Sequence, residues 1–208
     1  MPEGPEVRRM GVDLSKHITG KVINKIDVLS GRYTKKKIDG LDLHYSLFPT
    51  KCVGVGVHGK FLYILTSSGV NIWSTLGMTG QWSDKKTKHS RILLVLDNKH
   101  VYFNDQRNFG TFKLVYGPEK LQKKLFKLGP DIFSKETTLE VFAKRLRNKD
   151  KWNVTKALMD QKVISGIGNY IKAESLWLAG INPLKNISDI SDSDISLLYQ
   201  AVRDIAFT

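Results

Sequence analysis

The first six residues carry groups that could do covalent chemistry: Met1, Pro2, Glu3, Gly4, Pro5 and Glu6. If Met1 is removed, Pro2 becomes the N-terminal residue and carries a secondary amine. The ordinary pKa of an α-amino group is about 8, so part of it is unprotonated at neutral pH and can attack a carbonyl-like carbon to form a Schiff base. A neighbouring carboxylate, that of Glu3, could move protons during such a reaction. The terminus therefore predicts covalent catalysis by an amine.

The same residues also have a purely structural interpretation. Proline in a first helical turn and acidic residues near an N-terminus are common where helices begin. If a helix begins here, Glu3 and Glu6 share one face and lie where the helix dipole favours anions. The six residues alone leave both interpretations open.

The elements that must position these groups follow from hydrophobic periodicity. Helical spacing places Val7, Met10, Leu14 and Ile18 on one face. Residues 21–29, and several short runs between residues 51 and 116, read as strands separated by glycine-containing turns. Helices are predicted over residues 119–128, 137–144, 151–161, 171–179 and 191–207. These patterns indicate an α+β protein, with an antiparallel sandwich or barrel first and a helical domain after a boundary near residues 117–135.

Composition points to a polyanionic partner. The 208 residues include 33 Lys and Arg against 20 Asp and Glu, a formal net charge of +13. Such an excess is typical of proteins that bind nucleic acid. A basic RNA-binding structural protein would explain this charge equally well, although not the chemistry of the first residues.

Cysteine content and hydropathy exclude several other classes. Cys52 is the only cysteine, so residues 1–208 contain neither a disulfide framework nor a cysteine-rich zinc site. No apolar run approaches the roughly 20 residues that a membrane span requires, and the N-terminus lacks the pattern of a signal peptide. We expect a soluble intracellular protein that needs no cofactor, and nothing in the sequence indicates an oligomer.

Five motifs in a fixed order resemble those of one enzyme family. They are the first six residues, Gly59-Lys60, residues 76–80 (LGMTG), residues 105–112 (DQRNFGTF), and residues 158–161 (LMDQ) running to 166–170 (GIGNY). Each motif alone is weak, but the five in order and spacing are specific. Over nearly its whole length the chain resembles the formamidopyrimidine-DNA glycosylase / endonuclease VIII family.

The resemblance implies a fold and a function. The fold would be an N-terminal β-sandwich opened by a helix, over residues 1–125, and a helix-two-turn-helix DNA-binding domain, over residues 126–208, with DNA in the cleft between them. The function would be base-excision repair by a bifunctional DNA glycosylase and AP lyase, which removes an oxidised base and then cuts the strand by β-elimination. The partner would be damaged double-stranded DNA, with single-stranded DNA as an alternative. A non-catalytic protein of this family that binds damaged DNA is the competing hypothesis.

The resemblance also assigns catalytic roles. Pro2 would attack the first carbon of the sugar, and Glu3 would move protons during ring opening. Glu6 would support the pocket, or would simply be an acidic residue in a first helical turn. Lys60 would contact a phosphate near the lesion and assist elimination, for which a compact ammonium is suited; its alternative is an ordinary surface lysine.

Five further residues match DNA-contacting positions of the family. Met78, Arg107 and Phe109 would fill the gap that a flipped base leaves in the stack. Met78 on its own would more often be a core residue. His89 would contact DNA, or would be an incidental loop histidine. Asn169, after two glycines at a helix start, would bind phosphate or cap the helix.

The chain departs from the family pattern at its C-terminus and at two internal positions. The resemblance implies a C-terminal finger after the helical domain, with an arginine that assists δ-elimination, and such a segment would follow Thr208. Gln106 and Asn108 stand where proline and arginine are usual. Gly4 favours the endonuclease VIII-like branch, which prefers oxidised pyrimidines.

Overall fold

The computed structural model describes residues 2–208, so the question of Met1 removal lies outside the described residues. The chain divides into two compact units. One contains Pro2 and Glu6–Lys124, and the other contains Glu3–Pro5 and Leu125–Thr208.

The first unit contains eight strands and three helices. Helix α1 (Gly4–Ile18) leads into β1 (Val22–Val28), and the short helix α2 (Leu41–His44) lies between two 3-10 turns, Gly31–Thr34 and Tyr45–Leu47. The remaining strands are β2 (Thr50–His58), β3 (Phe61–Thr66), β4 (Val70–Thr75), β5 (Gly80–Ser83), β6 (Ser90–Leu96), β7 (His100–Asp105) and β8 (Thr111–Tyr116). Helix α3 (Pro118–Lys127) follows and continues past the boundary between the units.

The eight strands form one antiparallel sheet that folds into two halves. Their order is β5-β7-β6-β1-β2-β3-β4-β8, and only two residue pairs, Val22 with Lys51 and Ile23 with Thr50, join β1 to β2. The halves share one hydrophobic core, and Trp82 of β5 donates its indole N–H to Ser74 of β4, 3.2 Å away. The predicted N-terminal antiparallel β-sandwich is confirmed.

The reactivity of the Cys52 thiol tests whether this core excludes solvent and reagents. The side chain of Cys52 is fully buried, and burial raises the pKa of the thiol, an effect that a backbone hydrogen bond at Gly54 partly opposes. Because the thiolate is the reactive form, we expect no labelling of the folded protein by a thiol reagent between about pH 7 and pH 8.5, and complete labelling in denaturant. Complete labelling of the folded protein within minutes at pH 8.5 would contradict this burial.

The second unit is helical. It contains α4 (Leu139–Arg147), α5 (Val154–Met159), α6 (Asn169–Leu178), a 3-10 turn over Ile187–Asp189, and α7 (Asp192–Phe207). The side chains of Thr138, Asn153 and Ser191 accept backbone N–H bonds at the starts of α4, α5 and α7. A separate hydrophobic core joins these helices. The predicted helical domain is therefore confirmed.

Two local predictions were wrong. The helix predicted over residues 151–161 is only α5, because the Asn153 side chain caps it at its start and Asp160 adopts an extended conformation at its end. Glu3 lies before α1 rather than in its first turn, so Glu3 and Glu6 are not two acidic residues of one helix. Within residues 2–208, no helix is both long and apolar enough to cross a membrane.

Candidate active site

Glu3 is the most tightly held of the predicted catalytic residues. It is only 2% exposed, and its carboxylate lies at the N-terminus of α6. One carboxylate oxygen accepts the N–H of Tyr170 at 2.9 Å and the other accepts the N–H of Ile171 at 3.3 Å. The first amides of a helix have no partner within the helix and favour an anion. A carboxylate distant in sequence therefore takes the place of a helix-capping side chain.

The glycine-rich turn before α6 creates the space for this carboxylate. A Cβ atom on Gly168 would lie 2.1–2.4 Å from the carboxylate atoms of Glu3. Gln161 fixes the turn, since its side chain donates to the Ile167 carbonyl at 2.8 Å and accepts the Gly166 N–H at 3.0 Å. The Gly166 carbonyl in turn accepts the N–H of Gly4 at 3.0 Å. The turn thus holds both Glu3 and the residue that follows it.

Pro2 and Glu6 flank this position in the chain. Pro2 is half-buried and precedes Glu3 directly. Glu6 lies in the first turn of α1, where its carboxylate pairs with the Arg9 guanidinium at 3.2 Å and keeps 37% of its side-chain surface exposed. This contact fits the structural interpretation of Glu6, and its role in supporting a pocket stays a prediction.

Lys60 lies in the two-residue turn of the β2–β3 hairpin. His58 and Phe61 form the last pair of that hairpin, and Gly59 has the positive φ of 57° that such a turn requires. The side chain of Lys60 is half-buried. A hairpin turn holds a cation more rigidly than an open loop would, which suits the predicted phosphate contact.

The structure brings Met78, Arg107 and Phe109 together in two adjacent loops, residues 76–80 and 105–110, which we call the paired loops. The Arg107 Nη1 atom lies 3.0 Å from Met78 Sδ, and the Arg107 backbone N–H donates to the Thr79 hydroxyl at 2.9 Å. Met78 is 40% exposed and Phe109 is 59% exposed. Met78 is therefore a surface residue and not part of the core, as the void-filling role requires.

The buried carboxylate of Asp105 forms hydrogen bonds to both of the paired loops. Asp105 is 1% exposed, and its carboxylate accepts the Thr79 hydroxyl at 2.5 Å and the Gly110 N–H at 2.7 Å. Arg91 donates to the Asp105 carbonyl at 2.7 Å, and Arg32 donates to the Gly110 carbonyl. The loop that carries Arg107 and Phe109 is thus fixed by one carboxylate and two guanidinium groups.

Replacing Asp105 with alanine is expected to lower the free energy of unfolding by about 2–4 kcal/mol, because two donors lose their acceptor and the Gly110 N–H is buried. Chemical denaturation measures this change. Asp13→Ala removes an exposed carboxylate that pairs with Lys16 and is expected to change stability by less than about 1 kcal/mol. Equal effects of the two variants would contradict the role of Asp105.

The structure places His89 in the first unit and Asn169 in the second. The carbonyl of His89 accepts the Asp105 N–H at 2.9 Å, which puts this histidine beside the paired loops. Asn169 is the first residue of α6 and is exposed, and its side-chain oxygen accepts from Lys172 Nζ at 2.8 Å. Gly168 rather than Asn169 is the N-cap residue of α6, and Glu3 accepts the first amides, so the capping interpretation of Asn169 is wrong.

Sequence reasoning missed several residues that position the site: Asp105, Arg91, Arg32, Thr79, Gln161 and Gly168. Asp105 and Gln161 belong to motifs that were recognised, yet a polar residue in a motif carries no sign that it is buried. No sequence pattern indicates that Arg91 and Arg32 donate to loop carbonyls.

Comparison with protein families covers most of the chain. The family model described as formamidopyrimidine-DNA glycosylase N-terminal domain matches residues 1–112. The model described as formamidopyrimidine-DNA glycosylase H2TH domain matches residues 128–206.

Individual relatives agree with the family matches. The formamidopyrimidine-DNA glycosylase of Oceanobacillus iheyensis is 32% identical over 205 residues, which are 95% of this chain and 72% of the relative. The crystal structure of MutM (Fpg) from Thermus thermophilus is 26% identical with a TM-score of 0.86, over 99% of this chain and 75% of that one. The Lactococcus lactis enzyme, solved in non-covalent complex with DNA containing an AP site, is 26% identical with a TM-score of 0.86, over 99% and 79%.

Proposed function

Since the chain belongs to the formamidopyrimidine-DNA glycosylase family, we propose that it is a DNA glycosylase and AP lyase that removes oxidised bases from damaged DNA. The observation that carries the proposal is the buried Glu3 carboxylate, fixed on the amides of α6 directly beside Pro2 in the chain. A buried carboxylate that is held by backbone amides can stay in place while a neighbouring amine reacts. The relatives are named as glycosylases, which favours catalysis over the non-catalytic alternative.

The proposed chemistry begins after the damaged base has left the duplex stack. The unprotonated amine of Pro2 attacks the first carbon of the sugar, and the bond from that carbon to the base breaks. Glu3 moves protons as the sugar ring opens and an iminium forms on the proline nitrogen. The iminium makes the adjacent sugar proton acidic, and loss of that proton expels the 3′ phosphate in β-elimination. δ-Elimination would follow with an arginine of the finger that the family resemblance implies.

The paired loops are proposed to fill the gap in the DNA stack. Met78 and Phe109 supply exposed apolar surface, and Arg107 supplies a planar cation beside Met78. His89 lies beside these loops and is proposed to contact the DNA backbone. Asn169, exposed at the start of α6, is proposed to bind a phosphate through the NH2 group of its side chain.

Oxidised pyrimidines are the proposed preferred substrates, on the ground that Gly4 matches the endonuclease VIII-like branch. The structure supplies a second reason for this glycine, because a Cβ atom there would lie 2.3 Å from the Phe133 ring and 2.9 Å from the Gly166 carbonyl. The names of the relatives favour formamidopyrimidine lesions instead. Excision from matched duplexes that carry thymine glycol, a formamidopyrimidine or 8-oxoguanine decides between these classes. Activity on none of the three would contradict the proposed function.

Lys60→Ala is expected to weaken DNA binding in a salt-dependent way. If Lys60 neutralises one phosphate, the slope of log affinity against log salt concentration becomes shallower by about 0.9. Titrations of undamaged duplex at several salt concentrations measure the slope. Lys51→Ala removes an exposed lysine of the same hairpin and serves as the matched control. An equal slope for Lys60→Ala and the unaltered protein would show that Lys60 makes no phosphate contact.

A further inference from the structure

Several cations of the first unit line a pocket of about 470 Å³, which we call the basic pocket. Strands β3, β4 and β8, the segment after β1 and helix α3 supply its lining. Its charged lining residues are Arg32, Lys36, Lys37, Lys113, Lys124 and the carboxylate of Asp39. Lys37 is paired with the Asp42 carboxylate at 2.6 Å, and the remaining cations outnumber the one carboxylate of the lining, so the pocket suits an anionic ligand.

Aromatic rings hold two of these cations over the pocket floor. The Lys113 ammonium lies 4.7 Å from the centre of the Trp73 ring, and the Lys124 ammonium lies 5.3 Å from that of Phe61. The two rings contact each other edge to face at 5.4 Å and are almost entirely buried. Because the rings are covered, they leave little surface for a stacked base; they position the ammonium groups instead.

The lining also supplies a hydroxyl donor. The hydroxyls of Thr75 and Thr111 bond each other at 2.7 Å, which leaves one O–H of the pair to donate to an anion in the pocket. Within residues 2–208, the indole Nε1 of Trp73 is a buried side-chain polar atom without a hydrogen-bond partner, and because it is closed off from solvent it lies out of reach of a ligand.

The basic pocket adjoins the paired loops. Arg32 donates to the carbonyl of Gly110, and the Tyr33 hydroxyl accepts the N–H of Phe112 at 2.8 Å. The pocket wall and the loop that carries Arg107 and Phe109 are therefore one connected structure. A DNA strand that contacts the paired loops would continue close to the pocket.

We propose that the basic pocket binds phosphate groups of the DNA backbone, as a contact additional to Lys60 and the paired loops. Ammonium groups and hydroxyls supply donors, which matches the acceptor-only oxygens of a phosphate diester. The inference rests on the proposed function only in naming DNA as the source of the phosphate.

The test compares two double variants that remove equal charge from the same unit. Lys113→Gln with Lys124→Gln alters the pocket, whereas Lys21→Gln with Lys51→Gln alters exposed lysines outside it. Titration of undamaged duplex across salt concentrations is expected to give a slope shallower by about 1.8 for the pocket variant. Its affinity at low salt is expected to fall at least tenfold, against less than threefold for the control. Equal effects of the two variants, or no effect of either, would overturn the proposal.

A competition experiment separates DNA from a free polyphosphate as the ligand of the pocket. Tripolyphosphate that saturates the pocket while duplex DNA does not compete would assign the site to a free polyphosphate and overturn the DNA assignment.

Arg107→Ala in the same titration tests the DNA contact of the paired loops. Weakened binding by Arg107→Ala with an unaffected pocket variant would overturn the pocket proposal and leave the proposed function standing. Unchanged binding by Arg107→Ala would count against the proposed function itself, whatever the pocket variant does.

Discussion

Pro2→Gly is expected to lower the yield of borohydride-trapped enzyme on abasic DNA by roughly 100-fold or more, the largest effect of any single substitution proposed for this chain. Glycine keeps an N-terminal amine, but the amine is primary and no pyrrolidine ring ties its nitrogen to the side chain. The lost ring removes the preorganisation that brings the nitrogen to the sugar carbon. The measurement is the fraction of oligonucleotide shifted to the covalent adduct at fixed time.

Pro5→Gly is the matched control for Pro2→Gly. It removes a proline from the first turn of α1, three residues away, without touching the terminal amine. Its adduct yield is expected to stay within about threefold of the unaltered protein, since a first-turn substitution affects local stability more than chemistry. Equal losses in both variants would mean that the terminus is sensitive to any change of structure and that Pro2 has no special role.

Gly168→Ala is expected to reduce base removal by about 100-fold while leaving the fold intact. The φ of Gly168 is −128°, which alanine adopts readily, so the substitution introduces no backbone strain. The atoms that the new methyl group would meet belong to the Glu3 carboxylate, at 2.1–2.4 Å. Because that carboxylate is the end of a flexible side chain, it moves away from the α6 amides and the protein stays folded. Loss of a positioned acid or base typically costs 10²–10⁴ in rate.

Two control variants distinguish displacement of the Glu3 carboxylate from a general loss of protein stability. Gly54→Ala places a methyl group where nothing lies within 4 Å and is expected to leave base removal unchanged. Glu3→Gln is expected to reproduce the loss of base removal and to spare much of the cutting at a preformed abasic site. Full activity of Gly168→Ala would contradict the assigned position of Glu3.

Periodicity in the sequence was sufficient for the architecture. The spacing of Val7, Met10, Leu14 and Ile18 predicts α1, and the short alternating runs predict an antiparallel sheet, because the burial of one face dictates both patterns. The lengths of the helices were less predictable. The Asn153 cap, for example, shortens α5 although the apolar spacing continues on both sides.

Contacts between distant residues could not be predicted. The paired loops meet because β5 and β7 pair with Gly80 opposite Asp105, and such a register depends on the whole sheet. The bonds from Glu3 to the amides of Tyr170 and Ile171 join residues that are 167 and 168 positions apart. The family resemblance predicts which residues do the chemistry, and the structure shows which groups hold them.

The most direct test of the account is to identify the residue that carries the trapped sugar. The unaltered protein would be incubated with abasic duplex and borohydride, digested, and its N-terminal peptide analysed by mass spectrometry. We expect a peptide that begins at Pro2, without Met1, and carries the reduced sugar remnant on the proline nitrogen. An adduct on a lysine such as Lys60, or no adduct from a protein whose N-terminus is shown to be Pro2, would contradict the amine mechanism.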